Sequence, residues 1–247
     1  MKEVVLLTGA LGNVGRTILS HLYDQYTWRL LDNQSPDSDF PYDLIVADIL
    51  NTTAVKEAVE GASAIIHLAG NPQTSASWNS VLRNNIEGTQ ILLEAAVNSN
   101  VEKFIFASSN HAVGHYETDP NSDSSNLDSP FPLDGTELPR PGNLYGASKA
   151  IGEILGRYYH DEHGISVLCV RIGNLNGDAP PVDYARGQSM WLSNRDCGHL
   201  FDRCLQADYG YEIVYGVSDN DGSYYSLDRT RDILGYFPKD NSAEHIS

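Results

Sequence analysis

The sequence predicts an α/β chain: a Rossmann-type, doubly wound parallel sheet with a small C-terminal lobe. Three observations carry this. Short apolar runs without period-2 alternation recur between helix-like segments, as strands covered on both faces require. The first run leads directly into a glycine-rich turn and then a helical pattern. And 247 residues can bury one such core without disulfides or a structural metal.

The runs are Val4-Val5-Leu6-Leu7, Trp28-Arg29-Leu30-Leu31, Leu44-Ile45-Val46, Ala64-Ile65-Ile66-His67-Leu68, Phe104-Ile105-Phe106 and Val167-Leu168-Cys169-Val170. Between them, helices are expected over 14–26, 52–60, 79–99 and 144–163. The stretch 116–143 is rich in Pro, Asp, Ser and Asn and reads as a long loop of the functional or mobile kind. Beyond Arg171 the composition turns to Gly, Asp, Tyr and Pro, with helical pieces expected near 193–206 and 226–235 and a strand near 211–215.

Composition excludes several functions. Asp and Glu number 33 against 16 Lys and Arg, a net charge of −17. Binding nucleic acid or an anionic membrane needs a basic face. Only Lys2, Lys56, Lys103, Lys149 and Lys239 are lysines, and the acidic residues are spread along the chain. Such a surface fits a soluble protein adapted to high salt, where screening shortens self-repulsion. Cys169, Cys197 and Cys204 lack zinc spacing and an even count, so they read as reduced thiols. A strand pattern begins almost at Met1 with no signal peptide, and no apolar run approaches the length of a membrane span. These features predict a cytoplasmic location and no metal.

The turn after the first strand is Thr8-Gly9-Ala10-Leu11-Gly12-Asn13-Val14-Gly15. Glycines there permit a tight turn, close backbone approach to a pyrophosphate and helix packing, and the helix N-terminus offers unpaired N–H groups to phosphates. Gly9, Gly12, Asn13, Val14 and Gly15 are therefore expected to bind a dinucleotide. Asp32 closes the second strand where a carboxylate can accept from ribose hydroxyls and repel a 2′-phosphate, so the cofactor is expected to be NAD; a loop-start role is the alternative. Asp48 and Ile49 follow the third strand, with Asp48 facing adenine or capping the next helix. Leu68, Ala69 and Gly70 let a cofactor lie against backbone, whereas His67 reads as packed. The chain thus divides into an NAD-binding Rossmann domain over 1–170 and a small substrate-binding lobe over 171–247, packed as one structural unit.

Tyr145-Gly146-Ala147-Ser148-Lys149 opens a helix and puts phenol and ammonium on one face. A neighbouring cation favours the tyrosinate, which makes a phenol usable as a base; a surface Tyr and a solvated Lys are the plain alternative. Together with Ser109 after the fifth strand, these residues resemble the extended short-chain dehydrogenase/reductase family. The resemblance implies Tyr145 as base, Lys149 as its tuner, Ser109 as hydroxyl partner, and Asn85 as support for a water relay behind the lysine. Asn85 could equally satisfy backbone at a helix irregularity.

A closer resemblance covers nearly the whole chain. Ala107-Ser108-Ser109-Asn110-His111, Asn143-Leu144-Tyr145-Gly146, Val170-Arg171-Ile172-Gly173 and Ser189-Met190-Trp191-Leu192-Ser193 are similar to the uronate dehydrogenases. With Asn174-Leu175 and Tyr225-Ser226 they are still more similar to haloarchaeal NAD-dependent glucose-6-phosphate dehydrogenases. This implies oxidation of a pyranose at C1 to a lactone, with Ile172 and Leu175 at the cofactor and Gln73, Ser109, Asn110, His111, Asn174 and Arg186 at the sugar. Arg186 would receive a carboxylate or a phosphate equally well. Asn174 stands where uronate dehydrogenases carry a serine, which favours the phosphate; a hexuronate is the second substrate. The chain ends at Ser247, before a C-terminal tail contact would be expected. The resemblance further implies a homodimer through the helices at 79–99 and 144–163, which nothing in the sequence itself shows. A nucleotide-sugar epimerase or dehydratase shares the cofactor motifs, but residues after Arg171 are few for a nucleotide diphosphate; a non-catalytic NAD-binding protein would not need Tyr145, Lys149 and Ser109 together.

Overall fold

The computed structural model describes residues 3–118, 132–176 and 185–245. Met1, Lys2 and residues 119–131 of the predicted 116–143 loop lie outside these ranges. Seven strands form one wholly parallel sheet in the order β3-β2-β1-β4-β5-β6-β7: Val4–Thr8, Thr27–Asp32, Ile45–Val46, Ala64–His67, Lys103–Ser109, Ser166–Ile172 and Tyr211–Gly216 for β1 to β7. The order reverses between β1 and β4, and an open parallel sheet leaves a crevice at the carboxyl ends of its strands there. Register brings Thr8 beside His67 and His67 beside Phe106, and β5 and β6 run three residues further to pair Ser109 with Ile172 at that crevice.

The helices are α1 (Asn13–Leu22), α2 (Thr52–Val59), α3 (Trp78–Val81), α4 (Gly88–Asn98), α5 (Gly114–Thr118), α6 (Leu144–His163), α7 (Ala185–Ser189), α8 (Asn194–Gln206) and α9 (Asp228–Leu234). Two apolar cores lie on opposite faces of the sheet. One packs β1, β5 and β6 against α1 and α8; the other buries Leu6, Ile65, Phe104 and Val167 under α2 and α4. Because both sheet faces are buried, the strands are apolar without alternation.

Several expectations need correction. The helix predicted over 79–99 is interrupted at Leu82–Glu87 by a π-helical stretch between α3 and α4, where i→i+5 bonding widens the turn. The helix predicted over 14–26 stops at Leu22, because Thr27 already pairs with Val4 in β2. Asn51, not Asp48, caps α2, accepting from the Ala54 N–H at 3.2 Å. Residues 110–113 form a 3-10 turn and 114–118 a short helix, whose last three residues fall in the loop expected from 116. The 170/171 boundary falls inside β6, and β7 belongs to the same sheet, so the later residues complete the Rossmann core as well as forming a cap. All three cysteines are buried and free of disulfides. No helix among the described residues is long and apolar enough to cross a membrane.

Candidate active site

A cavity of about 860 Å³ runs along the carboxyl ends of the strands, lined by the β1–α1 turn, the ends of β2 and β5, residues 68–73, and Tyr145 and Lys149 of α6. Every residue predicted at the cofactor lines it. So do Gln73, Ser109, Asn110, His111 and Asn174.

Its nucleotide end is built by α1 and Asp32. No side chain caps α1, so its first N–H groups face the cavity. Gly9 takes φ +72°, and a Cβ there would stand 2.8 Å from the Ala69 nitrogen. Only glycine lets these two turns meet. Asp32 accepts from the Leu11 N–H through Oδ2 and from the Gln34 N–H through Oδ1, both at 3.0 Å. Each oxygen keeps a lone pair for a hydroxyl.

Asn143 caps α6, its Oδ1 accepting from the Gly146 N–H at 2.8 Å. Gly146 packs so closely that a Cβ would lie 2.1 Å from the His111 carbonyl oxygen. That approach sets Tyr145 against the end of β5 beside Ser109, and its ring meets the His111 ring edge-on at 5.7 Å. One turn on, Lys149 is 6 % exposed with its Nζ 4.9 Å from the Phe106 ring centroid and 5.8 Å from that of Tyr145. No carboxylate pairs with it among the described residues, and burial lowers its pKa to about 8. Tyr145 departs from expectation: burial raises its pKa, with the Ser109 hydroxyl opposing, and no effect of Lys149 is resolved. Burial also lowers the His111 pKa, with the Arg186 charge adding to it.

His67 is packed. Thr89 donates to the Asn85 carbonyl, so it accepts from His67 Nε2–H at 3.0 Å, leaving Nδ1 to accept from Thr8 at 2.8 Å. A neutral ring satisfies the network, and burial pushes its pKa down to about 3. Asn85, inside the π-helical stretch, accepts from the Asn71 N–H at 2.7 Å and donates to the Asn71 carbonyl at 3.1 Å and to Ser148 Oγ at 2.9 Å. Both its N–H groups are thus spent on fixing the 70–73 turn and α6.

Two buried acid–base assemblies stand behind the sugar end. Arg171, wholly buried, binds Glu153 of α6 at 2.9 and 3.0 Å and also pairs with Glu137, which accepts from Tyr215. Ser108 donates to Glu153 at 2.6 Å. The Tyr215 ring lies 4.7 Å from that of Tyr225, whose hydroxyl donates to Glu117. Glu117 also pairs with Arg186, which does not line the cavity itself. The arginine expected as an open anion receptor therefore already holds a carboxylate. Glu117, Glu137 and Glu153 were not expected from sequence, since their arginine and tyrosine partners lie 18 to 108 residues away.

Comparison with known proteins agrees with this geometry. Residues 5–194 match the model of the NAD dependent epimerase/dehydratase family. The chain is 61 % identical to an NAD-dependent glucose-6-phosphate dehydrogenase of Haloferax volcanii, over 99 % of this chain and 96 % of that one. It is 34 % identical to an L-arabinose 1-dehydrogenase (NAD(P)(+)) of the same organism, over 97 % of both. Among solved structures, a variant of uronate dehydrogenase from Agrobacterium tumefaciens complexed with NAD superimposes with a TM-score of 0.85 at 31 % identity, covering 98 % of this chain and 86 % of that one.

Proposed function

The chain belongs to the NAD dependent epimerase/dehydratase family, and from that premise we propose that it oxidises a pyranose at C1 to the lactone, with NAD as cofactor and glucose 6-phosphate as substrate. One observation carries the chemistry: Ser109, Tyr145 and Lys149 all line the cavity, and the ammonium is buried with no carboxylate paired to it among the described residues. A buried cation with no partner is costly unless a ligand supplies one. The uncapped α1, Asp32 and Lys149 suit a pyrophosphate and ribose hydroxyls. NAD, when bound, accepts the hydride from C1.

In the proposed mechanism Lys149 stabilises the tyrosinate form of Tyr145, which takes the proton of the C1 hydroxyl and becomes the neutral phenol, while Ser109 holds the same oxygen. Asn110, His111, Asn174 and Gln73 orient the ring, and Arg186 meets the anionic group at C6. A hexuronate is the second reading, carried by Arg186, whose fork serves a carboxylate as well as a phosphate. We also place the protein in a salt-rich cytoplasm, in keeping with its charge, and a homodimer on the outer face of α6, where Ile154 and Tyr158 are exposed.

Initial rates of NADH formation with glucose 6-phosphate, glucuronate and galacturonate, in high-salt buffer, test the substrate; a clear uronate preference would reverse the ranking. Tyr145→Phe should lose about 10²- to 10⁴-fold in turnover while still binding NAD. Near-normal turnover would refute the assignment of the base.

A further inference from the structure

We propose that Glu117 is a positioning residue for substrate binding, holding Arg186 by Nε so that the two Nη groups of the guanidinium meet the anionic group of the sugar. The inference rests on the reading of Arg186 as the anion receptor.

Glu117 has no solvent-accessible side-chain surface, although it sits at the end of a five-residue helix beside the cavity. Three donors from three other segments converge on it. Arg186 Nε of α7 binds Oε2; the Tyr225 hydroxyl and Asn110 Nδ2, the latter at 3.4 Å, bind Oε1. A carboxylate withdrawn from water is tolerated only when paired and hydrogen-bonded in this way. Two of the three donors, Arg186 and Asn110, are residues proposed to touch the sugar, so one carboxylate fixes both.

The edge it takes matters. A guanidinium can grip an anion side-on, through Nε and one Nη, or end-on, through both Nη groups. Nε is committed to Glu117, so the end-on edge is the one that serves an incoming phosphate or carboxylate. The Glu117–Arg186 pair is also neutral as a unit. Recognition of the anion then depends on the direction of the Nη–H groups and less on bare charge, which makes it sensitive to any rotation of the guanidinium.

The test is steady-state kinetics of Glu117→Ala, Glu117→Gln and Arg186→Ala in the full chain, with NAD affinity measured in parallel. Losing the orientation of one charge-assisted contact should raise KM for glucose 6-phosphate about tenfold or more in Glu117→Ala. The same variant should keep kcat within about threefold and leave NAD affinity unchanged. Glu117→Gln, which retains one acceptor oxygen, should fall between it and the unmodified protein. If Glu117→Ala does not fold, Glu117→Gln decides, and a rise in KM of about threefold or more supports the proposal. An unchanged or lowered KM in the Glu117 variants, or a loss confined to kcat, overturns it while a raised KM in Arg186→Ala leaves the receptor reading intact. An unchanged KM in Arg186→Ala as well overturns that reading and the proposal with it.

Discussion

Lys149 carries a cost in the free protein that the sequence motif does not reveal. Burial lowers its pKa from 10.5 to about 8, so between these values the unfolded chain binds the proton and the folded chain does not. Stability therefore rises with pH across that window, and the penalty is fully present below pH 8. Lys149→Met should abolish turnover, yet stabilise the NAD-free protein below pH 8 by about 1–3 kcal/mol. The gain should shrink as pH climbs towards 10, and thermal melts of both proteins across pH 7–10 check it. A variant less stable than its parent at pH 7 would contradict the account. At this scale the motif residues were legible because Thr8 to Gly15, Asp32 and Tyr145 to Lys149 are short local patterns. Glu117 was not, because the acceptor it supplies is defined by Arg186, 69 residues on, and Tyr225, 108 residues on.

Among the elements, α6 decides the chemistry. Its cap, its close approach to the 110–113 turn and the Glu153–Arg171 bond together place Tyr145 beside Ser109. Gly146→Ala drives a Cβ into the His111 carbonyl, which α6 can escape only by moving away. We expect kcat to fall by about 10²-fold, since misplacement by about 1 Å is enough for that, with overpacking costing about 1–3 kcal/mol of stability. Paired kinetics and melts would show a loss of rate far exceeding the loss of folded protein. The strands were legible because burial on both faces writes a continuous apolar run. The π-helical stretch at Leu82–Glu87 was legible only as the helix irregularity offered as one reading of Asn85; its extent was not, because it is tied to tertiary contacts of Asn85 with Asn71 and Ser148. The helical turns at 110–118 were hidden for a similar reason, Ser109 capping a segment whose neighbours read as loop.

For the whole molecule, net charge is the governing quantity. Cofactor and proposed substrate are anions approaching a chain of −17, so its overall field opposes them. Screening to about 10 Å at 0.1 M salt, and to about 3 Å at 1 M, removes that opposition while sparing buried contacts such as Arg171–Glu153. Both kcat/KM and thermal stability should thus increase between 0.1 and 1 M salt, which a titration of initial rate and melting temperature would reveal; a steady decline in either would tell against it. The two buried acid–base assemblies touch through the Tyr215 and Tyr225 rings alone among the contacts described above, and ring contact imposes no donor or acceptor pattern. The seam between them is therefore a natural line of evolutionary exchange. Residues 117, 186 and 225 could be replaced as a block to suit another sugar, while the set anchored on Arg171 goes on holding the proton-transfer machinery in place.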